Sequence, residues 1–292
     1  MPELLEVEVY RRLADRAVGR TIEAVEATDS WFLKDGITPA QVIGAVQGAT
    51  IGATGRLGKL LTVDLGDARP VLGLRFGMTG RLVLDGEAPI SQLEYSSGRD
   101  DPAWDRFALR FDDGARLRLS DPRRLGGVEL DPDLSALGPD AWSVTLRELT
   151  DALAGSSAPL KARLLDQRRI AGLGNLLVDE TLWRARLDPA RPAGSLTAVE
   201  LRRLHRRIIS TVGDLFDRGG SHRGDLQAER SRGGHCPRCG APLLRRTVGG
   251  RTTYSCSSCA QTATALTGSL STSWPPVDAP SCSPARSASA RP

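Results

Sequence analysis

Four of the five cysteines in this 292-residue chain form two CxxC pairs, Cys236 with Cys239 and Cys256 with Cys259, separated by sixteen residues. Two such pairs can close a tetrahedron of thiolates around one zinc ion, as two knuckles on a β-hairpin. Two disulfides would use the same residues. The chain opens without a basic segment followed by an apolar one, so no export signal is read and zinc is the better reading. The spacing therefore predicts one structural Zn2+ on Cys236, Cys239, Cys256 and Cys259. His235 adjoins the set, but four thiolates already complete it, and Cys282 is read as a free thiol. Between the pairs, "GGRTTY" places Arg251 near a hairpin tip, where a guanidinium can grip a phosphate with two parallel hydrogen bonds. A solvated arginine is the alternative.

Other stretches carry residue types suited to nucleic-acid chemistry. In "AGLGN", glycines before a helix leave backbone N–H groups free to face a phosphate, and Asn175 can donate from its side chain. "DPRRLGG" holds Arg123 and Leu125 at a turn, and "RFGMTGRL" holds Met78 in a glycine-flanked loop. Exposed Met and Leu side chains beside arginines can wedge into a base stack, although ordinary core packing uses the same residues. The opening "MPELLEVE" sets Glu3 and Glu6 three residues apart behind Pro2. Proline and carboxylates suit a helix start, and on the residues alone that reading suffices.

Charge divides the chain. Residues 1–155 carry 18 Lys+Arg against 25 Asp+Glu, and residues 156–260 carry 19 against 9. The basic second half suggests a polyanion footprint, with a solvated basic surface as the alternative. Only Lys34, Lys59 and Lys161 are lysines among 39 basic residues. In so arginine-biased a chain, a lysine hints at a place where a compact ammonium is needed.

The elements that must position these groups follow from periodicity. "LEVEVYRRLADRAV" has helical spacing, with Pro2, Glu3 and Glu6 in its first turn. From Thr21 to Leu130 short strands alternate with Gly, Pro and Asp turns, as in "KLLTVDLGDARPVLGLRF" and "RFALRFDDGARLRL", which predicts a β-sandwich or barrel. Apolar stripes in "VTLRELTDALAG", "APLKARLLDQ", "NLLVDETLWRAR" and "TAVELRRLHRRIISTVGDLFDRG" predict helices, the last opened by a Thr197/Glu200 capping box. Beyond Ala263, Ser, Thr, Pro, Ala and Arg dominate, and a disordered tail is expected. No apolar run approaches the roughly 20 residues that span a bilayer, so no membrane partner is expected.

In order along the chain, "PELLEVE", "RLGKLL", "GMTGRL", "DPRRLGG", "LLDQRRIAGLGN" with "VDETLW", and the paired cysteines resemble the hallmarks of the bacterial formamidopyrimidine-DNA glycosylase and endonuclease VIII family of base-excision repair enzymes. The resemblance runs over residues 1–262. It implies an α+β chain: an N-terminal β-sandwich with an N-terminal helix over 1–135, a helix-two-turns-helix DNA-binding domain over 141–225, a zinc ribbon over 230–262, then the tail over 263–292. It implies a bifunctional DNA glycosylase and AP lyase acting on oxidatively damaged bases. Pro2, exposed once Met1 is removed, would attack C1′ as a secondary amine and form a Schiff base, and β,δ-elimination of the strand would follow. Glu3 would be the acid/base at the sugar ring oxygen, Glu6 would hold the amine, and Lys59 would meet the phosphate near the lesion. Lys161, Asn175 and Arg251 would pin neighbouring phosphates. Met78, Arg123 and Leu125 would fill the void left by the flipped nucleotide.

Three departures from the family pattern stand out. Leu5 occupies a usual proline position, and Leu125 replaces an aromatic wedge. The segment from "GGSHRG" to Cys236 is also shorter than the loop that caps a flipped oxidised purine. The last predicts that ring-saturated pyrimidines, hydantoins and abasic sites are processed faster than 8-oxoguanine. The partner implied is damaged double-stranded DNA, bound by a monomer in the cytoplasm at the nucleoid. A non-catalytic or lyase-only lesion-binding protein of the same fold, and a zinc-ribbon protein of transcription, each account for part of the pattern.

Overall fold

A computed structural model describes residues 1–260 apart from 67, 91–92 and 94–97. The expected tail and Cys282 lie outside the described residues.

Helix α1 (Leu4–Asp15) opens the chain. Eight strands then build two four-stranded antiparallel sheets: β1 (Ile22–Glu26), β2 (Ala53–Leu57), β3 (Leu60–Asp64), β4 (Leu72–Arg75), β5 (Arg81–Leu84), β6 (Asp105–Phe111), β7 (Arg116–Ser120) and β8 (Gly127–Leu130). One sheet runs β1-β6-β7-β5 and the other β2-β3-β4-β8. Side chains alternate across a strand, so Phe107, Leu109 and Phe111 of β6 share one face, as do Leu117 and Leu119 of β7. These residues join Leu61, Val63, Leu74 and Val128 of the second sheet in one buried cluster, the core of the sandwich. A helix interrupts the expected run of strands: α2 (Pro39–Val46), with Pro39 in its first turn and a Thr38/Gln41 capping box. Those start signals are legible, but eight residues containing Gly44, Val42 and Ile43 carry weak helical propensity.

The second half is helical: α3 (Leu146–Leu153), α4 (Leu160–Leu165), α5 (Asn175–Ala185) and α6 (Ala198–Asp217). Residues 166–174 make the two turns between α4 and α5, with Arg169 N–H donating to the Asp166 carbonyl and Gly172 N–H to Gln167 Oε1. The hairpin β9 (Leu244–Val248) and β10 (Arg251–Ser255) follows.

Helix α1 belongs to both cores. Its Val7, Tyr10 and Leu13 pack into the sandwich. Its first residues, Leu4 and Leu5, pack with Leu164, Leu177 and Leu215 in the helical core. Leu5 at the departed position is therefore fully buried. Helix formation starts later than expected: Pro2 and Glu3 precede the first turn, and Glu3 is the N-cap residue. A second tie joins the halves. Arg56 on β2 grips Asp140 with both terminal nitrogens, at 2.5 and 3.0 Å, and Asp140 also accepts from Gly58 N–H.

Candidate active site

The start of the chain is anchored by its carboxylates. Glu3 is fully buried and accepts from three backbone N–H groups at the start of α5: Gly174 at 2.9, Leu176 at 2.9 and Leu177 at 3.1 Å. A helix N-terminus carries unsatisfied donors and partial positive charge, so a carboxylate suits it. A Cβ on Gly174 would stand 2.2 Å from the Glu3 carboxyl carbon, so the glycine is needed for this approach. Here the structure corrects the reading of "AGLGN": the N–H groups of Gly174, Leu176 and Leu177 face Glu3 and not a phosphate. Burial still pushes the Glu3 carboxyl above the ordinary carboxylate range. Lys59 opposes this, Glu6 adds to it, and the N–H groups of Leu176 and Leu177 oppose it. Glu6 accepts Glu3 N–H at 2.8 Å on one oxygen, and on the other Ser221 N–H at 2.7 and Oγ–H at 2.8 Å. Ser221, unread in the sequence, thus carries the chain after α6 back onto the start of α1.

Pro2 lines a cavity of about 220 Å³ together with Lys59, Arg75, Leu125 and Gln167. Lys59 reaches it because β2 and β3 are joined by only two residues, Gly58 at φ +58° and Lys59. A glycine leading a two-residue loop at positive φ suits the II′ hairpin turn and sets the next side chain at its tip. Burial pushes the Lys59 ammonium below the ordinary lysine range; Glu3 and Glu6 oppose this and Arg251 adds to it. Lys59, Glu3, Glu6 and Arg251 therefore share one electrostatic neighbourhood.

Two loops form the rim. The β4–β5 loop carries half-buried Met78, and the β7–β8 loop carries exposed Arg123 and half-exposed Leu125. Buried Asp121 organises both: it accepts from the N–H groups of Arg123, Leu125 and Gly126 and from the Thr79 hydroxyl. A Cβ on Gly77 would lie 2.4 Å from the Leu125 backbone, so the loops lie back to back. Asp121 was missed in the sequence, although an aspartate bonding N–H groups a few residues on is a recognisable turn signal.

Lys161 departs from its expected role. Its side chain is fully buried, and its ammonium donates to Asp179 Oδ1 at 2.6 Å and to the Thr252 carbonyl at 3.1 Å. A buried, ion-paired ammonium has no surface to offer a phosphate. Asp179 also accepts from Arg230 and from Tyr254 N–H. The network binds α4, α5 and β10 together beside Arg251, which is exposed and follows the Gly249–Gly250 turn. Both glycines have positive φ, as a two-residue I′ hairpin loop requires. Half-buried Asn175 opens α5, and its Oδ1 has no hydrogen-bond partner.

The four predicted cysteines are free thiols whose sulfurs all lie within 4.8 Å of one another. Contacts of 3.4 to 3.9 Å between them are far longer than the ~2.05 Å of a disulfide. Trp183 of α5 donates its indole N–H to Cys236 Sγ at 3.3 Å, tying the cluster to the helical core. Four sulfur donors converging on one point fit a single metal ion.

A β-sandwich and a two-turn helix pair joined at the buried Glu3, with a four-cysteine hairpin tied to the same helix α5, define a class of DNA-repair fold. The first 128 residues match the formamidopyrimidine-DNA glycosylase N-terminal domain, and residues 136–223 match the H2TH domain of the same enzymes. The chain is 34% identical to a formamidopyrimidine-DNA glycosylase of Halalkalibacterium halodurans, over 89% of this chain and 99% of that protein. It is 37% identical to one from Symbiobacterium thermophilum, over 89% of each. The fold superposes on Lactococcus lactis Fpg bound to DNA containing an abasic site, with TM-score 0.74 and 28% identity over 89% of this chain and all of that one. The chain belongs to the formamidopyrimidine-DNA glycosylase family.

The buried Glu3 gives a pH signature. Glu3→Gln removes its titration. As pH rises from 4, the unfolded wild-type chain ionises Glu3 first, while the folded chain retains the proton. The stability of the wild type relative to E3Q therefore falls, until the pH passes the raised pKa of Glu3. Urea unfolding of both proteins from pH 4 to 7 measures this difference. A difference that stays constant, or grows with pH, contradicts a buried carboxyl that resists ionisation.

Proposed function

We propose that this chain is a bifunctional DNA glycosylase and AP lyase that uses the Pro2 amine as nucleophile. The carrying observation is the placement of Pro2 in the wall of a 220 Å³ cavity, with the buried Glu3 beside it in sequence and Lys59 and Leu125 lining the same cavity. Removal of Met1 frees a secondary amine. It must be unprotonated to attack, and an α-amino group titrates near about 8 even without help. The amine nitrogen bonds to C1′ as the C1′–base bond breaks, and the amine proton leaves with the base. The C1′–ring-oxygen bond then breaks, Glu3 delivers its proton to that oxygen, and the nitrogen lone pair completes the iminium. The upward shift that burial gives the Glu3 carboxyl suits a group that gives up its proton less readily than an exposed carboxyl and can return it as an acid. The resulting iminium is an electron sink that permits loss of the 3′ and then the 5′ phosphate.

Glu6, fixed by Ser221, holds the start of α1. Lys59, Asn175 and Arg251 contact phosphates, Arg251 being held in place by the Lys161–Asp179 network. Met78, Arg123 and Leu125 enter the helix when the target nucleotide leaves it. The four cysteines hold Zn2+, the metal that tetrahedral thiolate sets favour. Three working units are read, over 1–135, 141–225 and 230–262, in a protein acting as a monomer inside the cell, on chromosomal DNA. Among the described residues no helix is long and apolar enough to cross a membrane.

The lesions favoured are those that leave the stack easily. The segment 219–235 has little slack: Ser221 bonds Glu6, the N–H groups of Asp225 and Leu226 bond Glu180, Arg230 pairs with Asp179, and His235 N–H bonds Glu229. Nothing there is spare to cap a flat purine. Ring-opened formamidopyrimidines, named in the relatives, and ring-saturated pyrimidines, hydantoins and abasic sites need less help.

Borohydride added during the reaction on an abasic duplex reduces the iminium and should leave a covalent adduct that mass spectrometry places on Pro2. An adduct on a lysine, or none from active protein, overturns the mechanism. In the same sequence context and salt, dihydropyrimidine and hydantoin duplexes should be cut faster than 8-oxoguanine opposite cytosine; the reverse order removes the lesion assignment. Cleavage of abasic duplexes without release of any base would reduce the activity to a lyase.

Cys256→Ser should lose stoichiometric zinc by metal analysis and bind DNA at least about tenfold more weakly, with the sandwich still folded. Structural zinc supplies on the order of 10 kcal/mol to isolated zinc-finger peptides, so one lost ligand is enough to disorder a hairpin of this size. Full zinc content with normal affinity contradicts the four-thiolate site.

A further inference from the structure

Trp31 is the most exposed large apolar side chain among the described residues, at 71%. Single exposed apolar residues are ordinary on protein surfaces. The setting of this one is not. It sits in a 3-10 turn, Ser30–Phe32, that is fastened on both sides to the loop carrying Leu125. Before it, Asp29 accepts from the Trp31 N–H at 3.2 Å and pairs with Arg124. After it, Phe32 is fully buried and would stand 3.0 Å from a Cβ on Gly126, so its ring packs on the backbone next to Leu125. Lys34 N–H then donates to the Val128 carbonyl at 2.8 Å, and Lys34 Nζ reaches the Trp31 carbonyl at 3.2 Å. The indole is thus held in water on a turn tied down on both sides, with Lys34 on its own backbone carbonyl and Arg124 on the neighbouring Asp29.

We infer that Trp31 is a further DNA-contacting residue, an aromatic platform that stacks on a nucleotide beside the step entered by Leu125. An exposed ring among cations is the arrangement that binds unpaired bases, because every base offers a π face and the cations meet its phosphate. Leu125 is aliphatic and cannot stack in this way, whereas the fused turn carries an indole to the same rim. The partner is DNA with a disrupted stack, in preference to intact duplex. The inference rests on the proposed DNA-repair reading, and its test separates the two.

Dissociation constants would be measured by fluorescence anisotropy for the wild type, Trp31→Ala and Trp31→Phe, on a duplex with a tetrahydrofuran abasic analogue and on the undamaged duplex. W31A should bind the abasic duplex about tenfold more weakly, and W31F within about threefold of wild type, the range expected for loss or retention of one stacked base. Since no charge is removed, the slope of log affinity against log salt should not change. The loss on undamaged duplex should be smaller. Affinity of W31A within twofold of wild type, or an equal loss in W31A and W31F, overturns the inference. Thermal melting checks that the variants fold, as expected for an exposed side chain. Borohydride trapping by the wild type is the separate control: if it fails, the enzymatic reading falls whatever Trp31 does.

Discussion

The Glu3 carboxylate at the start of α5 is the contact on which the remaining geometry depends. It carries the beginning of the chain across the boundary between two hydrophobic cores and satisfies three donors that a helix N-terminus would otherwise leave unpaired. Chain termini are ordinarily the least ordered part of a domain. Here Leu4 and Leu5 are buried in the helical core, Val7 and Tyr10 in the sandwich, and Glu6 is fixed by Ser221. The amine proposed as nucleophile can be aimed only if the residues behind it are held, and these contacts hold them. The same burial that fixes Glu3 makes it reluctant to ionise, so one constraint sets both position and protonation.

Helix α5 is the axle of the second half. Glu3 sits at its N-terminus, Asp179 gathers Lys161, Arg230 and β10 along its side, and Trp183 bonds a cysteine sulfur near its end. The start of the chain, the hairpin arginine and the four cysteine sulfurs are thereby tied to one helix. The rim loops are referred to another point, buried Asp121, which holds the Leu125 turn and, through Thr79, the Met78 loop. Catalytic geometry tolerates little misplacement, and few independently moving parts stand between these groups.

Much of this was legible in the sequence, for identifiable reasons. Period-two alternation in "RFALRF" and period-3.6 stripes in "VELRRLHRRI" report burial directly, and those segments form β6 and α6. The cysteine spacing reports a shared point in space, and the four sulfurs converge on one. What was misread depends on partners remote in sequence. The amides of "AGLGN" announce an acceptor site, but nothing local says that the acceptor is the Glu3 carboxyl, 171 residues before Gly174. Lys161 is given a phosphate by the family resemblance, whereas Asp179 and the Thr252 carbonyl surround it here. Helix α2 was hidden because its capping signals are opposed by glycine and β-branched residues. Trp31 gave no signal, since only the tie between its turn and the Leu125 loop marks it as more than a loop residue.

The central claim is that chemistry is done by the free amine of Pro2, and it can be tested on that nitrogen alone. In a chain carrying a peptide extension ahead of Pro2, the nitrogen is an amide whose lone pair is delocalised into the carbonyl, while Glu3, Glu6, Lys59 and the metal site are unaltered. Single-turnover cleavage of an abasic duplex would be followed with this extended chain at saturating concentration. Proteolytic removal of the extension would then leave Pro2 as the first residue. The account predicts no cleavage before removal and full cleavage after it. Equal rates before and after would show that another group is the nucleophile and would contradict the account.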